Sequence, residues 1–567
     1  MKEYVHCMDA QSQPRNYPGS ENFAKLPKKP VSRRALLKLG LLGGSAAAVT
    51  LVGIDTLVWA PMRAAKAITH ASVKSDIQFD IGNFLAPIQS LDGVLFHFGP
   101  VFTVFLTAQL TATPDRFDQQ DLADALGTIE RVYPWSPGGI FTFVSYGLPY
   151  FNRLPGDLVS GDMPRLASDQ SRFALEEAVP GLSDVSSRNP VIHKETFNVP
   201  VRVESNDVLF SFRSDHLSNI TETVNWLLGS DELGGFSLPS PDFAFNGLLN
   251  FTTIRTMFVQ IGLPRRIANS HGLSFAGRVN PRSPMWMGFA DQQVAGSGPA
   301  AITTFQGNAS AQLTTAVSGD YFDHGTVQHL SHVILDLPRF YADNEPFTER
   351  VQYMFRSDPI PSLGNADQLK DGGGGAYFEN NGSIFLKYQA QGTTEAIQTA
   401  LAFPNPVNDP QPPTSPNPDD IGKRNPRMGH LSALQQVSRA ADGTALHVRM
   451  DGPGFSAGDV PDGSRQAKLQ FSVFVPTSDF FQRLRDATAA QNFQQIDPLF
   501  PGRGGSPHGT VGSDDNGLER FLTATRRQNF LMPPRRHRAF PLVEFTDSST
   551  KRRARTSRKP SRKITVL

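Results

Sequence analysis

One short stretch near the middle of this 567-residue chain places an acidic side chain where it could carry out chemistry. In Gly288-Phe289-Ala290-Asp291, a carboxylate follows two residues after an aromatic ring. The residues on either side, from Ser283 to Met287 and from Val294 to Gly296, are mostly apolar or small. An acid in such surroundings would be partly desolvated and suited to proton transfer. The same four residues also fit a plain turn with an exposed Asp291.

Two histidines and one arginine downstream are the other candidates for site chemistry. His430 follows Asn425-Pro426-Arg427-Met428-Gly429 and opens a helix-like run. Arg449 ends the segment 446–449, and His447 lies two residues before it, so on a strand these two side chains would share a face. An imidazole can bind a metal ion, and a guanidinium group can stabilise negative charge that develops during a reaction.

The other histidines and a search for common hydrolase motifs provide less evidence for site chemistry. His329 and His332 are three residues apart on a predicted strand, so they cannot both lie on one face, which argues against a metal-binding pair. Packing or surface placement explains both. The chain has no Gly-x-Ser-x-Gly elbow and no His-Glu-x-x-His helix, so a serine hydrolase and a zinc protease have little support.

The order of these residues resembles the dye-decolourising (DyP-type) peroxidase family: a Gly-Phe-x-Asp stretch, a histidine far downstream and then an arginine. The similarity runs as short motifs through most of residues 80–545. It implies a non-covalently bound haem b, with His430 as the ligand of the iron and Gly288 and Phe289 in the cofactor-binding motif. It also implies that Asp291 and Arg449 are catalytic on the opposite side of the haem.

The activity implied by this resemblance is reduction of hydrogen peroxide with oxidation of an organic reductant. Asp291 would move a proton between the two peroxide oxygens, and Arg449 would stabilise the charge that develops as their bond breaks. Trp286, Trp226 or a tyrosine would carry electrons from the reductant. His447 is the reserve candidate for the axial ligand.

Two departures from the family pattern favour a different function. Gln292 stands where the family usually has glycine, and Asp420 stands at the position that matches the family's usual histidine. The alternative is a secreted DyP-like scaffold without haem that acts as a binding or structural protein.

Hydrophobic patterns predict the elements that must position these residues. Apolar, β-branched and aromatic runs predict strands, and apolar residues at helical spacing predict the helices between them. The predicted strands are 101–106, 140–147, 207–213, 326–337 and 468–475, and the predicted helices are 114–132, 217–228, 345–354 and 480–487. The β-α-β rhythm is typical of a ferredoxin-like half. The expected fold is therefore α+β, with two ferredoxin-like halves at 80–320 and 321–545, as in the dimeric α+β barrel of the DyP-type family.

Charge and cysteine usage exclude several functional classes. The net charge is +1, but residues 68–550 hold 36 Lys and Arg against 49 Asp and Glu, so this body is acidic and argues against a nucleic-acid-binding protein. The single cysteine, Cys7, excludes an internal disulfide, an iron–sulfur cluster and covalent attachment of haem through a Cys-x-x-Cys-His motif.

The two ends of the chain carry targeting features. Residues 1–67 combine a polar, proline-containing start with Arg33-Arg34, a short apolar run from Leu39 to Ile54 and a cleavage-type Ala65-Lys66-Ala67. This pattern resembles a twin-arginine (Tat) signal peptide. It implies export by the Tat machinery to an extracellular, periplasmic or cell-wall location, with an uncleaved membrane helix as the alternative. Residues 546–567 are predicted to be a disordered basic tail, or else to contact anionic cell-wall polymer or lipid headgroups.

Overall fold

The structure, a computed structural model, describes most of the central part of the chain. The described residues are 73–85, 89–91, 94–96, 99–241, 247–279, 281, 283–288, 300–307, 313–341, 430, 447–489 and 518–546. The twin-arginine segment, Phe289, Asp291, Asp420, the predicted helix at 345–354 and the basic tail therefore lie outside the described residues. In the part of the chain that is described, no helix is long and apolar enough to span a membrane.

The first half of the fold is a four-stranded antiparallel sheet with two crossover helices. Its elements are β1 (Phe102–Leu110), α1 (Arg116–Val132), β2 (Phe141–Gly147), β3 (Val208–Ser214), α2 (Leu217–Leu227) and β4 (Leu249–Phe258). The strand order is β2-β3-β1-β4. A βαββαβ chain with this order has the ferredoxin-like topology. A further helix, α3 (Leu263–Ser270), follows β4.

The second half repeats this arrangement. Its elements are β5 (Thr326–Leu335), the short strands β6 (Val448–Arg449) and β7 (Gly452–Ser456), β8 (Gln466–Val475), α4 (Ser478–Ala489) and β9 (Leu522–Met532). Both β6 and β7 pair with β8, which gives the order (β6, β7)-β8-β5-β9, with all pairs antiparallel. This is again the ferredoxin-like order. The predicted α+β fold with two ferredoxin-like halves is confirmed.

The two halves join into one continuous sheet. Strand β2 pairs with β9 through Tyr146 opposite Leu531 and Gly147 opposite Phe530. A short parallel strand, Arg202–Val203, also pairs with β9. At the far edges β7 lies against β4, because a Cβ atom added at Gly452 would come within 2.6 Å of Val259 and 2.9 Å of Met257. The sheet therefore curves until its two edges meet, and it has an interior face and a helix-covered face.

Both faces of the sheet are buried, which explains the long apolar strands. On strand β5 every residue is buried. Helices cover one face, with Leu122, Leu126 and Ile129 of α1 in the core. The interior face carries an aromatic cluster made of Phe105, Phe141, Phe143, Phe474 and Phe530. Strands buried on both faces read as continuous hydrophobic runs, and this is the pattern from which they were predicted.

Local sequence signals fix the ends of the helices. Asp115 caps α1 by accepting hydrogen bonds from the backbone N–H groups of Phe117 and Asp118, and the Asp118 carboxylate accepts one from the Asp115 N–H in return. This reciprocal capping satisfies donors that a helix N-terminus would otherwise leave unpaired. The other short elements include helices Leu148–Phe151, Gly156–Asp162 and Leu337–Phe340 and two hairpins, Gln89–Leu91 with Val94–Phe96 and Glu232–Leu233 with Phe236–Ser237.

Candidate functional site

The beginning of the Gly-Phe-x-Asp stretch is anchored in the core. Trp286 is 1 % exposed, and its ring packs edge-on against Phe258 and Phe275 with centroids 6.0 and 6.2 Å apart. Its Nε1 donates a hydrogen bond to the carbonyl oxygen of Gly454 at 3.1 Å. The hydroxyl of Tyr341 donates to the Trp286 carbonyl oxygen at 2.9 Å. The segment that leads to Asp291 is therefore attached to strand β7 of the second half.

A tight turn follows this anchor. The backbone N–H of Gly288 donates to the carbonyl oxygen of Met285 at 3.2 Å, and Gly288 has φ = 84°. Positive φ values are strained for residues with a Cβ atom, so glycine suits this position. The structure thus shows a turn from Met285 to Gly288. Phe289 and Asp291 come directly after it and lie outside the described residues, so their predicted roles stay predictions.

Arg449 lies on β6, at the edge of the second half. It is half-buried and stands opposite Val473 of β8, which in turn stands opposite His329 of β5. Directly opposed residues on antiparallel strands share a face, so Arg449 and His329 belong to the same face of the sheet. This is the helix-covered face, because the His329 ring stacks on Phe481 of α4 with centroids 3.4 Å apart.

The stacked pair His329 and Phe481 also limits the space on this face. The two rings are in direct contact, so nothing planar fits between β5 and α4 at this point. His329 Nδ1 lies 2.7 Å from the amide oxygen of Asn529, and burial together with Arg527 lowers the pKa of His329, so this imidazole is neutral. His329 is a packed core histidine, one of the two placements that the sequence allowed. It lies three residues before His332 on β5, so the two side chains point to opposite faces.

The two candidate haem ligands are placed differently. His447 is 1 % exposed and directly precedes β6. His430 is half-buried and has helical backbone geometry, but residues 342–429 and 431–446 around it lie outside the described residues. Trp226, named as an electron carrier, is buried in α2, where its Nε1 donates to the Pro239 carbonyl oxygen at 3.0 Å.

Sequence reasoning missed a buried ionic group on the interior face of the barrel. Lys468 and His332 both contact the carboxylate of Asp459, with His332 Nδ1 at 3.1 Å. Burial and then Lys468 lower the pKa of His332 to about 4. The available signal was Lys468 itself, a charged residue inside an apolar strand pattern. Its acidic partner, Asp459, lies in a loop and carries no such signal.

One group of three potential metal ligands occurs within the described residues. Ligand atoms of Asp76, Asp323 and His324 lie within 4.8 Å of one another. Arg536 already forms ion pairs with the carboxylates of Asp76 and Asp323, and its Nη2 lies 2.6 Å from Asp323 Oδ1. Burial alone would raise the pKa of Asp323, but Arg536 and His324 hold it at about 2. A guanidinium group therefore takes the place that a metal ion would need.

Comparison with known proteins gives a partial family match and distant structural likenesses. The model of a family of unknown function, DUF7405, matches residues 100–363, which span the first half and β5. No curated protein matches the chain.

Three solved structures illustrate the structural likeness. The encapsulated DyP-type peroxidase from Mycobacterium smegmatis has a TM-score of 0.38 and 14 % identity, covering 80 % of this chain and 97 % of its own. A variant of Rhodococcus jostii RHA1 DypB in complex with haem has a TM-score of 0.39 and 12 % identity, covering 78 % and 96 %. A dye-decolorizing protein from V. cholerae has a TM-score of 0.38 and 11 % identity, covering 78 % and 96 %. Scores this low carry no inference about activity, so the fold assignment rests on the strand order of this chain.

Proposed function

We propose that this chain is an exported haem peroxidase that reduces hydrogen peroxide and oxidises an organic reductant. The observation that carries the proposal is the hydrogen bond from Trp286 to Gly454. It links the turn that precedes Asp291 to strand β7, which begins three residues after Arg449. The turn that precedes Asp291 and the strand that follows Arg449 are therefore neighbours in the fold, which supports a shared site for the two side chains.

The handedness of the second half supports a common site for His430 and Arg449. The connection from β5 to β6 carries His430, and the connection from β8 to β9 carries α4. Each joins two parallel strands across one intervening strand, and such crossovers are right-handed. In this strand order, two right-handed crossovers lie on the same face. His430 would thus lie on the helix-covered face, which is also the face of Arg449.

The residues present fit a haem beside β6 and not beside α4. The donor set would hold an imidazole that can bind iron, from His430, and a guanidinium group, from Arg449, on the same face of the sheet. The contact between His329 and Phe481 closes the space under α4. With Cys7 as the single cysteine, a haem would be held by packing and by one imidazole ligand, which we assign to His430, and Gly288 and Phe289 would help to bind it.

The chain's own residues would bind peroxide and direct its protons. A bound haem would supply an iron centre through which two electrons pass from the organic reductant to hydrogen peroxide, so that the peroxide is reduced and the reductant is oxidised. Asp291 would accept the proton from one peroxide oxygen and hold it for the other. Arg449 would bind the oxygen on which negative charge develops. The buried ring of Trp286, adjacent to this turn, would connect the site to a reductant at the surface.

Export belongs to the same proposal. Arg33-Arg34, the apolar run from Leu39 to Ile54 and Ala65-Lys66-Ala67 support recognition by the Tat machinery, which transports folded proteins. A protein that receives its haem in the cytoplasm would need such a route. The basic residues from Lys551 to Lys563 would then meet anionic cell-wall polymer or lipid headgroups.

The absorption spectrum of the purified, folded protein tests the proposal. We expect a Soret band in protein purified from haem-supplied cells, and one haem per chain on titration of the haem-free protein. Folded protein that shows no Soret band and does not bind added haem would contradict the proposal. That result would favour the alternative of a haem-free scaffold with a binding or structural role.

A further inference from the structure

A buried ionic cluster lies on the interior face of the barrel, away from the face of Arg449. Its members come from four strands and two loops: Arg255 of β4, His332 of β5, Lys468 of β8, Arg526 of β9, and the carboxylates of Glu204 and Asp459. The side chains of Arg255, Lys468, Glu204 and Asp459 are each at most 7 % exposed. Arg526 is 22 % exposed, so the cluster reaches solvent at this one described side chain.

Both carboxylates of the cluster are fully engaged with its cations. Arg526 donates from Nε to Asp459 at 3.0 Å and from Nη1 to Glu204 at 3.2 Å. Asp459 also binds Lys468, and Glu204 also binds Arg255. Burial alone would raise the pKa values of both acids, but these cations, with His332 beside Asp459, hold them below their usual range. Both acids are therefore ionised at neutral pH.

The charges of the cluster do not cancel. Arg255, Lys468 and Arg526 carry three positive charges against the two negative charges of Glu204 and Asp459. His332, whose pKa is lowered to about 4, adds none at neutral pH. One positive charge thus remains in a site that is almost closed to solvent, and an uncompensated buried charge is strongly unfavourable.

Several buried polar atoms of the cluster have no partner within the described part of the chain. These are Nε and Nη1 of Arg255, Nε2 of His332, and both side-chain amide atoms of Gln470, which lies beside the cluster. Gln470 stands opposite His332 on one side and Gly452 on the other, so it shares the interior face. Leaving such polar groups unpaired in the interior costs roughly 1–3 kcal/mol per group, and more for a charged one.

Gln470 of β8 and Arg255 of β4 both lie on the interior face, on the two sides of strand β7. A Cβ atom added at Gly454 would lie 3.0 Å from Gln470 Nε2 and 3.0 Å from the Thr256 carbonyl oxygen. The Gln470 amide therefore lies beside the β4 backbone at Thr256, the residue after Arg255. The side chains of Arg255, Glu204, Lys468 and Asp459 around it are almost fully buried, so an anion held here has to be small.

We propose that the cluster binds one small, singly charged carboxylate anion of the size of formate or acetate. The surplus charge favours an anion over water, and the unpartnered guanidinium and amide N–H groups supply donors for its oxygens. Arg526 marks the route by which the anion enters. This site is separate from the proposed haem site, because it lies on the opposite face of the sheet.

Thermal unfolding in two sodium salts tests this site. Sodium formate and sodium gluconate both supply a carboxylate, but gluconate is too large for the cluster. At constant ionic strength, we expect the unfolding midpoint of the full chain to rise with formate concentration and to stay level in gluconate, because a ligand that binds only the folded state stabilises it. Equal unfolding midpoints in the two salts at every concentration would overturn the proposal and would indicate that water, not an anion, occupies the cluster.

A pair of glutamine variants provides the matched control. Gln470→Leu removes the unpartnered amide and should weaken formate binding at least tenfold without lowering the midpoint in gluconate. Gln328→Leu removes an amide of the same interior face that is already hydrogen-bonded to Ser145 and Ser472, so it should lower the midpoint but keep the formate effect. A full formate effect in Gln470→Leu would contradict the assignment. Neither side chain lies on the face of Arg449, and haem binding is measured separately, so failure here is distinguishable from failure of the peroxidase proposal.

Discussion

The indole of Trp286 and the carbonyl oxygen of Gly454 are joined by a hydrogen bond of 3.1 Å. Trp286 precedes the Gly-Phe-x-Asp stretch, and Gly454 lies on the strand that meets β4 at the seam of the barrel. The bond therefore connects the two chain segments that carry the proposed acid and the proposed guanidinium group. It also explains why a tryptophan suits this position, since its ring fills the core while its N–H satisfies a buried carbonyl.

Replacement of Trp286 by phenylalanine should reduce both stability and haem affinity. The variant keeps an aromatic ring but loses the bond to Gly454, which should cost about 1 kcal/mol or somewhat more. Trp226→Phe is the control, because it loses a similar bond to Pro239 in the other half. We expect denaturant unfolding to show a comparable loss for both variants. Haem titration should show weaker binding for Trp286→Phe alone, and equal weakening in both would contradict the link to the site.

The ionic contacts of Glu130 should make the fold sensitive to acid. Glu130 on α1 binds Lys74, Arg535 and Arg538. Burial alone would raise its pKa, but Arg538 and Arg535 lower it from 4.5 to about 2. A depressed pKa contributes stability that is present above pH 4.5 and is lost as pH falls towards 2.

The Glu130→Gln variant isolates this contribution. It should lose about 3 kcal/mol of unfolding free energy at neutral pH, and the difference from wild type should shrink as pH falls through this window. Glu232→Gln, at an exposed position, is the control and should change stability little. A constant difference between Glu130→Gln and wild type across this pH range would show that the carboxylate charge is not responsible.

Export should depend on the arginine pair. Changing Arg33 and Arg34 together to lysine keeps the charge but removes the twin-arginine feature. The double variant should accumulate in the cytoplasm with residues 1–67 still attached, as judged by fractionation and by the mass of the chain. Normal secretion and cleavage of this variant would show that another route exports the protein.

The axial ligand can be assigned by comparing two histidine variants. His430→Ala should abolish the Soret band or greatly weaken it, because a non-covalent haem loses its only bond to the protein. His447→Ala should retain the band, and it is the matched control because His447 lies next to β6. The opposite pattern would move the axial ligand to His447.

Most of the fold could be predicted from the sequence, because strands buried on both faces are continuously apolar. Strands β1, β2, β3, β5 and β8 and helices α1, α2 and α4 all follow the predicted segments to within a few residues. Strand β4 was not predicted. Its middle carries Thr252, Thr253 and Arg255, whose side chains bind polar partners, so it lacks both the apolar run and a regular alternation.

The candidate site was less predictable, because its geometry depends on contacts between distant segments. The order of motifs along the chain named Arg449 and Gly288 as candidates, and their roles stay predictions. It gave no sign that Trp286 would bond to Gly454, since 168 residues separate them. The Asp459 carboxylate was missed for the same reason. Its partners Lys468 and Arg526 come from two different strands, and only the fold brings them together.

The reaction of the haem-loaded protein with hydrogen peroxide tests the central claim most directly. Stopped-flow absorbance would follow the change of the Soret band after mixing wild type, Asp291→Asn or Arg449→Lys with peroxide. We expect Asp291→Asn to retain haem and to react on the order of a hundred to ten thousand times more slowly than wild type. Arg449→Lys should be slower by roughly a hundred- to a thousandfold. If all three react at the same slow rate as free haemin, neither residue is catalytic and the chain is not a peroxidase.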